Sequence, residues 1–162
     1  MALRTILTEG EDTLYRKSRE VVKFDERLHT LLDDMAETMN QANGVGLAAP
    51  QVGILRRVVV VHTGEEVLEI INPEILETSG EQDGLEGCLS IPGRYGLVKR
   101  PMKVKIRAQD RNGEWYEAEG EGLIARAFCQ EIEHLDGILY NKRAYKMLTQ
   151  QELEEYYEEE DE

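Results

Sequence analysis

The sequence predicts an α+β fold in which antiparallel strands occupy the middle of the chain. Two amphipathic helical patterns flank the predicted strands, one over residues 25–44 and one over residues 123–136. Residues 102–113 alternate apolar and polar side chains and end in the turn DRNG, which is typical of a β-hairpin. Because the helices lie outside this run of strands, an antiparallel sheet is favoured over alternating βαβ units.

The first half of the chain contains one predicted helix and two predicted strands. Asp25 is a predicted N-cap and Gly44 ends the helical pattern. RRVVVVHTG at 56–64 predicts a buried strand, and VLEIINPEIL at 67–76 predicts another that is broken at Pro73. The helix itself is indicated by an apolar stripe at helical spacing: Leu28, Leu31, Leu32, Met35 and Met39.

The C-terminal part predicts two further helices. The apolar stripe of the first includes Ile124, Ala127, Phe128 and Leu135, and Gly137 closes it. The second is predicted to begin at Thr149, where TQQE forms a capping box. Eight acids and no base lie within residues 152–162, so the rest of the chain has a net charge of about −6 rather than −14. This tail is interpreted as a solvated helix end, with partner binding as the alternative.

Length and composition predict one domain over residues 1–162, with the acidic tail at about 149–162. Two cysteines far apart in sequence provide no disulfide framework and favour a reducing compartment. The first residues contain no apolar signal region, and no apolar run is long enough to span a membrane. A cytoplasmic protein with no membrane partner is therefore expected. The acidic balance disfavours a nucleic-acid footprint.

The segment CQEIEHLDG at 129–137 places three polar side chains on one helix face. Gln130 and His134 are four residues apart and so lie about 40° apart around the helix, with Glu131 beside them. Two histidines at this spacing would bind one metal ion, with the glutamate as general base. Glutamine offers only a neutral amide oxygen, which is a weaker ligand. Taken alone, the pattern is more typical of a solvated helix face.

Two glycine-bordered segments are further candidates. Cys88 lies in GLEGCLSIPG and would form half of a Cys/His metal site with His134, although a lone cysteine is more often a core residue. Cys129 is interpreted as core. GVGLAAPQVG at 44–53 fits a dinucleotide-binding pattern, but it follows a helix and Pro50 prevents another, so that interpretation is rejected. A small-residue loop with the Gln51 amide remains.

Together, three of these motifs resemble the peptide deformylase family. The family shows G-x-G-x-A-A-x-Q, E-G-C-x-S and Q-H-E-x-D-H-x-x-G, and this chain reads GVGLAAPQ at 44–51, EGCLS at 86–90 and CQEIEHLDG at 129–137. The first two match fully, whereas the third has Gln130 in place of the first histidine. The resemblance covers nearly the whole chain. It implies antiparallel sheets packed around a central helix that carries the Q-E-x-x-H motif.

The resemblance also implies a metal centre. It assigns Cys88 and His134 as ligands, and it places Gln130 where the family has its third. The metal implied is Fe²⁺, for which Zn²⁺ or Ni²⁺ can substitute.

Catalytic and supporting residues follow from the same resemblance. Glu131 is implied as general acid/base, with Gln51 and the backbone N–H of Leu89 stabilising an oxyanion. Glu86 and Arg100 resemble a supporting ion pair. A pocket for a methionine side chain would be bordered by Gly44, Val45, Gly46 and Phe128.

The implied function is hydrolysis of the formyl group from N-terminal formyl-methionine. Formyl-methionyl peptides and nascent chains would be the substrates, and the ribosome exit region a further partner. Because Gln130 removes a ligand, activity is expected to be low or absent. Two alternatives are a catalytically silent homologue that binds such peptides and a metal-free hydrolase that uses Cys88 and His134.

Overall fold

The computed structural model describes residues 2–161, so Glu162, the last residue of the predicted acidic tail, lies outside the described residues. The helices are α1 (Glu26–Gln41), α2 (Leu123–Leu135) and α3 (Gln150–Asp161). The strands are β1 (Gly46–Ala48), β2 (Val58–His62), β3 (Val67–Ser79), β4 (Gln82–Cys88), β5 (Ile91–Arg100), β6 (Lys103–Gln109), β7 (Trp115–Glu121) and β8 (Lys146–Met147).

The strands form two antiparallel sheets with helix α2 in contact with both. One sheet has the order β1-β2-β3-β6-β7 and the other the order β4-β5-β8. Helix α2 contacts β1, β2, β6 and β7 of the first sheet and β5 of the second. Phe128 and Leu135 of α2 pack with Val59 and Ile106 in one core cluster, which explains why this helix is buried on most sides. The predicted α+β architecture around a central helix is confirmed.

Both helix N-termini predicted from capping residues are present. The Asp25 carboxylate accepts a hydrogen bond from the Leu28 N–H at 3.1 Å, so it caps α1. At the start of α3, the Glu152 N–H donates to Thr149 Oγ1 and the Thr149 N–H donates to Glu152 Oε1, both at 3.1 Å. This reciprocal pair is the predicted capping box. No helix within residues 2–161 is long and apolar enough to cross a membrane.

Strand β3 differs from its prediction because it continues through Pro73. Ile71 pairs with Gln109 and Glu74 pairs with Arg107, so β3 has one more residue than β6 between these two pairs. The extra residue forms a β-bulge that accommodates a proline with no N–H to donate. Asn72 adopts a positive φ of 52° there, and its buried side chain bonds the backbone of Val21. The predicted break at Pro73 is therefore wrong.

Strands β4 and β5 lie where the sequence indicated only a glycine-bordered segment. They pair from Gln82–Arg100 to Glu86–Gly96, after which the register shifts and Cys88 pairs with Ile91. The shift places Cys88 at the end of β4, close to α2. The GVGLAAPQVG segment contributes the short strand β1 and a 3₁₀ turn over Ala49–Val52, which bring Gln51 to the same place.

Candidate active site

A cavity of about 540 Å³ lies between helix α2, the β1 segment and the β4–β5 hairpin. A volume of this size is typical of a small-molecule or peptide side-chain pocket. The residues singled out from the sequence that line it are Gly44, Val45, Gly46, Gln51, Glu86, Cys88, Leu89, Gln130 and Glu131. Three segments that are far apart in the chain therefore meet at one cavity.

Cys88 and His134 contact each other at one wall of this cavity. Cys88 Sγ lies 3.3 Å from His134 Nε2, and the His134 side chain is fully buried behind it. Burial lowers the pKa of His134 to about 4, an effect that Arg100 increases. Burial also raises the pKa of the Cys88 thiol to about 12, and the nearby Glu131 adds to this. Both shifts favour the neutral forms of the two side chains.

The Gln51 side chain is held in one orientation by three hydrogen-bond partners. Its Oε1 accepts from the Ala48 N–H at 2.9 Å. Its Nε2 donates to Ser90 Oγ at 3.1 Å and lies 3.6 Å from Cys88 Sγ. Because Oε1 is engaged by a backbone donor, the amide N–H groups must face the Cys88 side of the cavity. A hydrogen-bond donor is thus fixed beside the thiol.

Glu131 is a buried carboxylic acid at the cavity wall. Glu131 is only 3% exposed, and its Oε1 atom has no hydrogen-bond partner within residues 2–161. Burial raises the pKa of Glu131 to about 8; the charge of Glu86 adds to the rise and Arg100 opposes it. A carboxyl that gains and loses a proton near neutral pH suits general acid–base chemistry.

Behind the cavity, Glu86 is held by two arginines. Arg100 donates from Nε and Nη2 at 2.9 and 3.0 Å, and Arg126 donates from Nη1 at 2.6 Å. All three residues are buried, and Arg100 also pairs with Glu133. The expected Glu86–Arg100 contact is present, whereas Arg126 was missed from the sequence. A lone arginine between two alanines of an apolar helix was the available signal, since a buried guanidinium requires partners.

Gln130 lies beside the Cys88–His134 pair, but its amide nitrogen is already engaged. Nε2 donates to Glu86 Oε1 at 3.1 Å and to the Gly87 carbonyl at 3.0 Å. Only the neutral amide oxygen is left as a metal ligand, and neutral oxygen donors suit Fe²⁺ or Zn²⁺ less well than imidazole. Within the part of the chain that the structure describes, no group of three His, Cys, Asp or Glu side chains could hold a metal ion. Cys88 and His134 are therefore the only two strong ligands at this place among the described residues, whereas a three-ligand centre requires one more.

Two α2 residues point away from the cavity. Phe128 is 1% exposed and packs in the core, so its expected place at the pocket border is wrong. Residues two positions apart on a helix point about 200° apart, so Phe128 is turned away from Gln130, which lines the cavity. Ala127 and Leu123 line the cavity on the α2 side instead. Cys129 is a buried core residue, as predicted.

The two buried titratable groups predict a pH dependence of stability for the metal-free protein. The pKa of Glu131 is raised from its ordinary value of 4.5 to about 8 in the folded chain, so the folded state retains a proton that the unfolded state loses. The pKa of His134 is shifted in the opposite sense, from 6.5 down to about 4. The two effects oppose each other below pH 6.5, and above it only Glu131 contributes.

In chelator, the free energy of unfolding is therefore expected to fall by roughly 1–2 kcal/mol between pH 6.5 and 8. Urea unfolding at stepped pH values measures the decline. Glu131→Gln should remove it, and an unchanged slope in that variant would contradict the assignment.

Comparison with known proteins gives one consistent result. The family model for polypeptide deformylase matches residues 3–150. A peptide deformylase from Acetivibrio thermocellus is 54% identical over 154 residues, which are 95% of this chain and 91% of the relative. A peptide deformylase from Alkaliphilus metalliredigens is 55% identical over 146 residues, which are 90% of this chain and 99% of the relative. The crystal structure of peptide deformylase from Thermotoga maritima matches with a TM-score of 0.85 at 40% identity, covering 88% of this chain and 97% of that one.

Proposed function

Because the chain belongs to the peptide deformylase family of metal-dependent hydrolases, we propose that it binds N-formyl-methionyl peptides and removes the formyl group only slowly. The observation that carries this proposal is the hydrogen bonding of the Gln130 side chain, which stands where the family has a histidine ligand. Its nitrogen is bonded to Glu86 and Gly87, while Cys88 and His134 remain side by side. The binding cavity is retained, but the metal ligands are one short.

The proposed roles of the remaining residues follow from their positions. The Gln51 amide and the Leu89 backbone N–H donate to the formyl oxygen as negative charge develops on it. Glu131 takes the proton from the attacking water and delivers it to the leaving amine. Gly44, Val45 and Gly46 line the cavity, and the two glycines, which have no side chain, leave room for the methionine side chain.

The family's metal ion supplies Lewis-acid activation of water when it is bound. Fe²⁺ is the proposed ion, with Zn²⁺ or Ni²⁺ as substitutes. In this chain Cys88 and His134 would hold it with a single neutral oxygen from Gln130, which favours weak retention.

A silent homologue that only binds formylated peptides is the limiting case of this proposal. The metal-free hydrolase alternative is disfavoured by the pKa values of its two residues. A Cys88 thiol with a pKa of about 12 is almost entirely protonated at pH 7, and the thiolate is the nucleophile. His134, with its pKa lowered to about 4, is a weak base for activating it.

Calorimetric titration of the unaltered protein with a formyl-Met-Ala-Ser peptide, with turnover measured in parallel, tests the proposal. We expect saturable binding that the unformylated peptide does not reproduce, with turnover far below that of the Acetivibrio thermocellus relative. Stoichiometric metal with turnover equal to that relative's would contradict slow hydrolysis. Absence of binding would contradict the recognition of formyl-methionine.

The setting of this activity is also proposed. We place the protein in the cytoplasm, acting on nascent chains near the ribosome exit region, as a single domain over residues 1–162. The supporting observation is the family match over residues 3–150, which ends where α3 begins. Co-sedimentation with ribosomes, compared with a variant ending at Thr149, measures whether the acidic helix contributes.

Gly46 is expected to be essential for the position of Glu131. A Cβ added at residue 46 would lie 2.8 Å from Glu131 Cγ and 2.9 Å from its Oε2, so the carboxylate would have to move. In a Gln130→His background, Gly46→Ala should lower kcat/KM by roughly 10- to 100-fold, because displacing a catalytic group by about 1 Å has an effect of that size. Metal content should stay at the parent value, and the melting temperature should fall by no more than about 10 °C, the range expected for one overpacked methyl group. Full activity in the double variant would contradict the assigned role.

A further inference from the structure

We propose that Gln130 is a hydrogen-bond clamp that joins helix α2 to strand β4 in place of a metal ion. The clamp consists of the two hydrogen bonds from Gln130 Nε2, to Glu86 Oε1 at 3.1 Å and to the Gly87 carbonyl at 3.0 Å. It keeps the cavity in shape with no ion bound. The inference rests on the proposed function only in taking Cys88 and His134 as the remaining ligands.

The orientation of the Gln130 amide is set by its partners. A carboxylate and a backbone carbonyl only accept hydrogen bonds, so both must face the NH₂ group rather than the amide oxygen. Each of its two N–H groups therefore has an acceptor, and one of these bonds is strengthened by the charge of Glu86. Glu86 is itself immobile, since Arg100 and Arg126 hold it from the other side.

The clamp acts where the β4–β5 ladder is interrupted. Glu86 pairs with Gly96, but Cys88 pairs with Ile91, so Gly87 lies within a register shift. A residue at such a shift lacks regular ladder bonds, and its carbonyl needs another donor. Gln130 supplies that donor from the facing helix. The backbone next to Cys88 is thereby attached to α2 one residue before the thiol.

A metal ion held by Cys88 and His134 would join the same two elements. Cys88 is the last residue of β4, and His134 lies on α2 four residues after Gln130. An imidazole at position 130 can ligate an ion, but in its neutral form it has only one N–H to donate. With glutamine at position 130, hydrogen bonds join α2 to β4. With histidine at this position, a bound metal ion would join the same two elements. Gln130 favours the metal-free cavity, and histidine favours the metal-bound one.

Thermal melting of three proteins in EDTA and in excess Ni²⁺ separates these states: the unaltered chain, Gln130→Met and Gln130→His. In EDTA, we expect Gln130→Met to melt about 4–8 °C below the unaltered chain, the size expected for two lost hydrogen bonds. Gln130→His, which keeps at most one N–H donor, should melt about 2–8 °C below it. Ni²⁺ should restore the melting temperature of Gln130→His and leave that of Gln130→Met unchanged. The melting temperature of the unaltered chain should change little on addition of either EDTA or Ni²⁺. Gln41→Met, at the exposed end of α1, is the matched control and should melt with the unaltered chain.

Hydrogen exchange of the amides of residues 87–90 gives a second, local measurement. In EDTA we expect at least about tenfold faster exchange in Gln130→His than in the unaltered chain, and Ni²⁺ should reverse the difference. If Gln130→Met does not fold, Gln130→His carries the test alone. Equal melting of all three proteins in EDTA, or equal loss of stability on chelation of the unaltered chain and Gln130→His, would overturn the clamp. Neither measurement depends on turnover, so both test the clamp whether the protein hydrolyses formyl peptides slowly or rapidly.

Discussion

Gln130→His is expected to raise kcat/KM on formyl-methionyl peptides by roughly a thousandfold and to bring bound metal to about one ion per chain. The histidine supplies the third strong ligand beside Cys88 and His134, which already contact each other at 3.3 Å. A bound metal ion contributes several kcal/mol to the stabilisation of developing charge, and about 1.36 kcal/mol corresponds to tenfold in rate. Metal analysis and steady-state kinetics on the same preparations measure both quantities.

Two controls make this result specific to the third ligand. Gln130→Asn retains an amide on a shorter side chain and should stay as slow and as metal-poor as the unaltered chain. Gln130→His combined with Glu131→Gln should bind the metal but lose activity, because the carboxylate that transfers the proton is absent. Metal at one ion per chain in the unaltered protein, or no gain in rate with full metal in Gln130→His, would contradict the explanation given for slow hydrolysis.

The elements predicted correctly from the sequence are those whose signal is local. The leucine and methionine stripe of α1, its cap at Asp25 and the hairpin β6–β7 each follow from spacing within a few residues. Strands β4 and β5 were not predicted because Gly84, Gly87, Pro92, Gly93 and Gly96 dilute any β-branched or alternating pattern there. Their strand conformation comes from pairing with each other. That pairing is a non-local contact.

The candidate site shows the same division. The motifs around Cys88 and His134 could be identified from their residues, and the structure brings these two side chains together. The partners of Gln130 could not be identified, because they depend on how the register shift after Glu86 presents the Gly87 carbonyl to α2. Arg126 was missed for a related reason. A helical arginine is usually solvent-exposed, and only the packed structure shows that this one is buried against Glu86.

Glu86→Gln is expected to lower the free energy of unfolding by about 3–5 kcal/mol, the usual range when one partner of a buried ion pair is removed. The substitution leaves Arg126 without a carboxylate partner and Arg100 with Glu133 alone. Glutamine preserves the shape of the side chain, so the loss reports on charge rather than on packing. Denaturant unfolding at pH 7 in chelator measures it.

Glu9→Gln is the matched control, because Glu9 forms its ion pair with Arg94 at the surface, where both side chains are more than a third exposed. Exposed pairs contribute about 0–1 kcal/mol, so this variant should unfold almost as the unaltered chain does. Glu86→Gln also removes a charge that raises the pKa of Glu131. The decline of stability above pH 6.5 should therefore be smaller and end at a lower pH in that variant. A Glu86→Gln protein as stable as Glu9→Gln would show that the two buried arginines find other partners, and the Glu86 network would not be what holds β4 against α2.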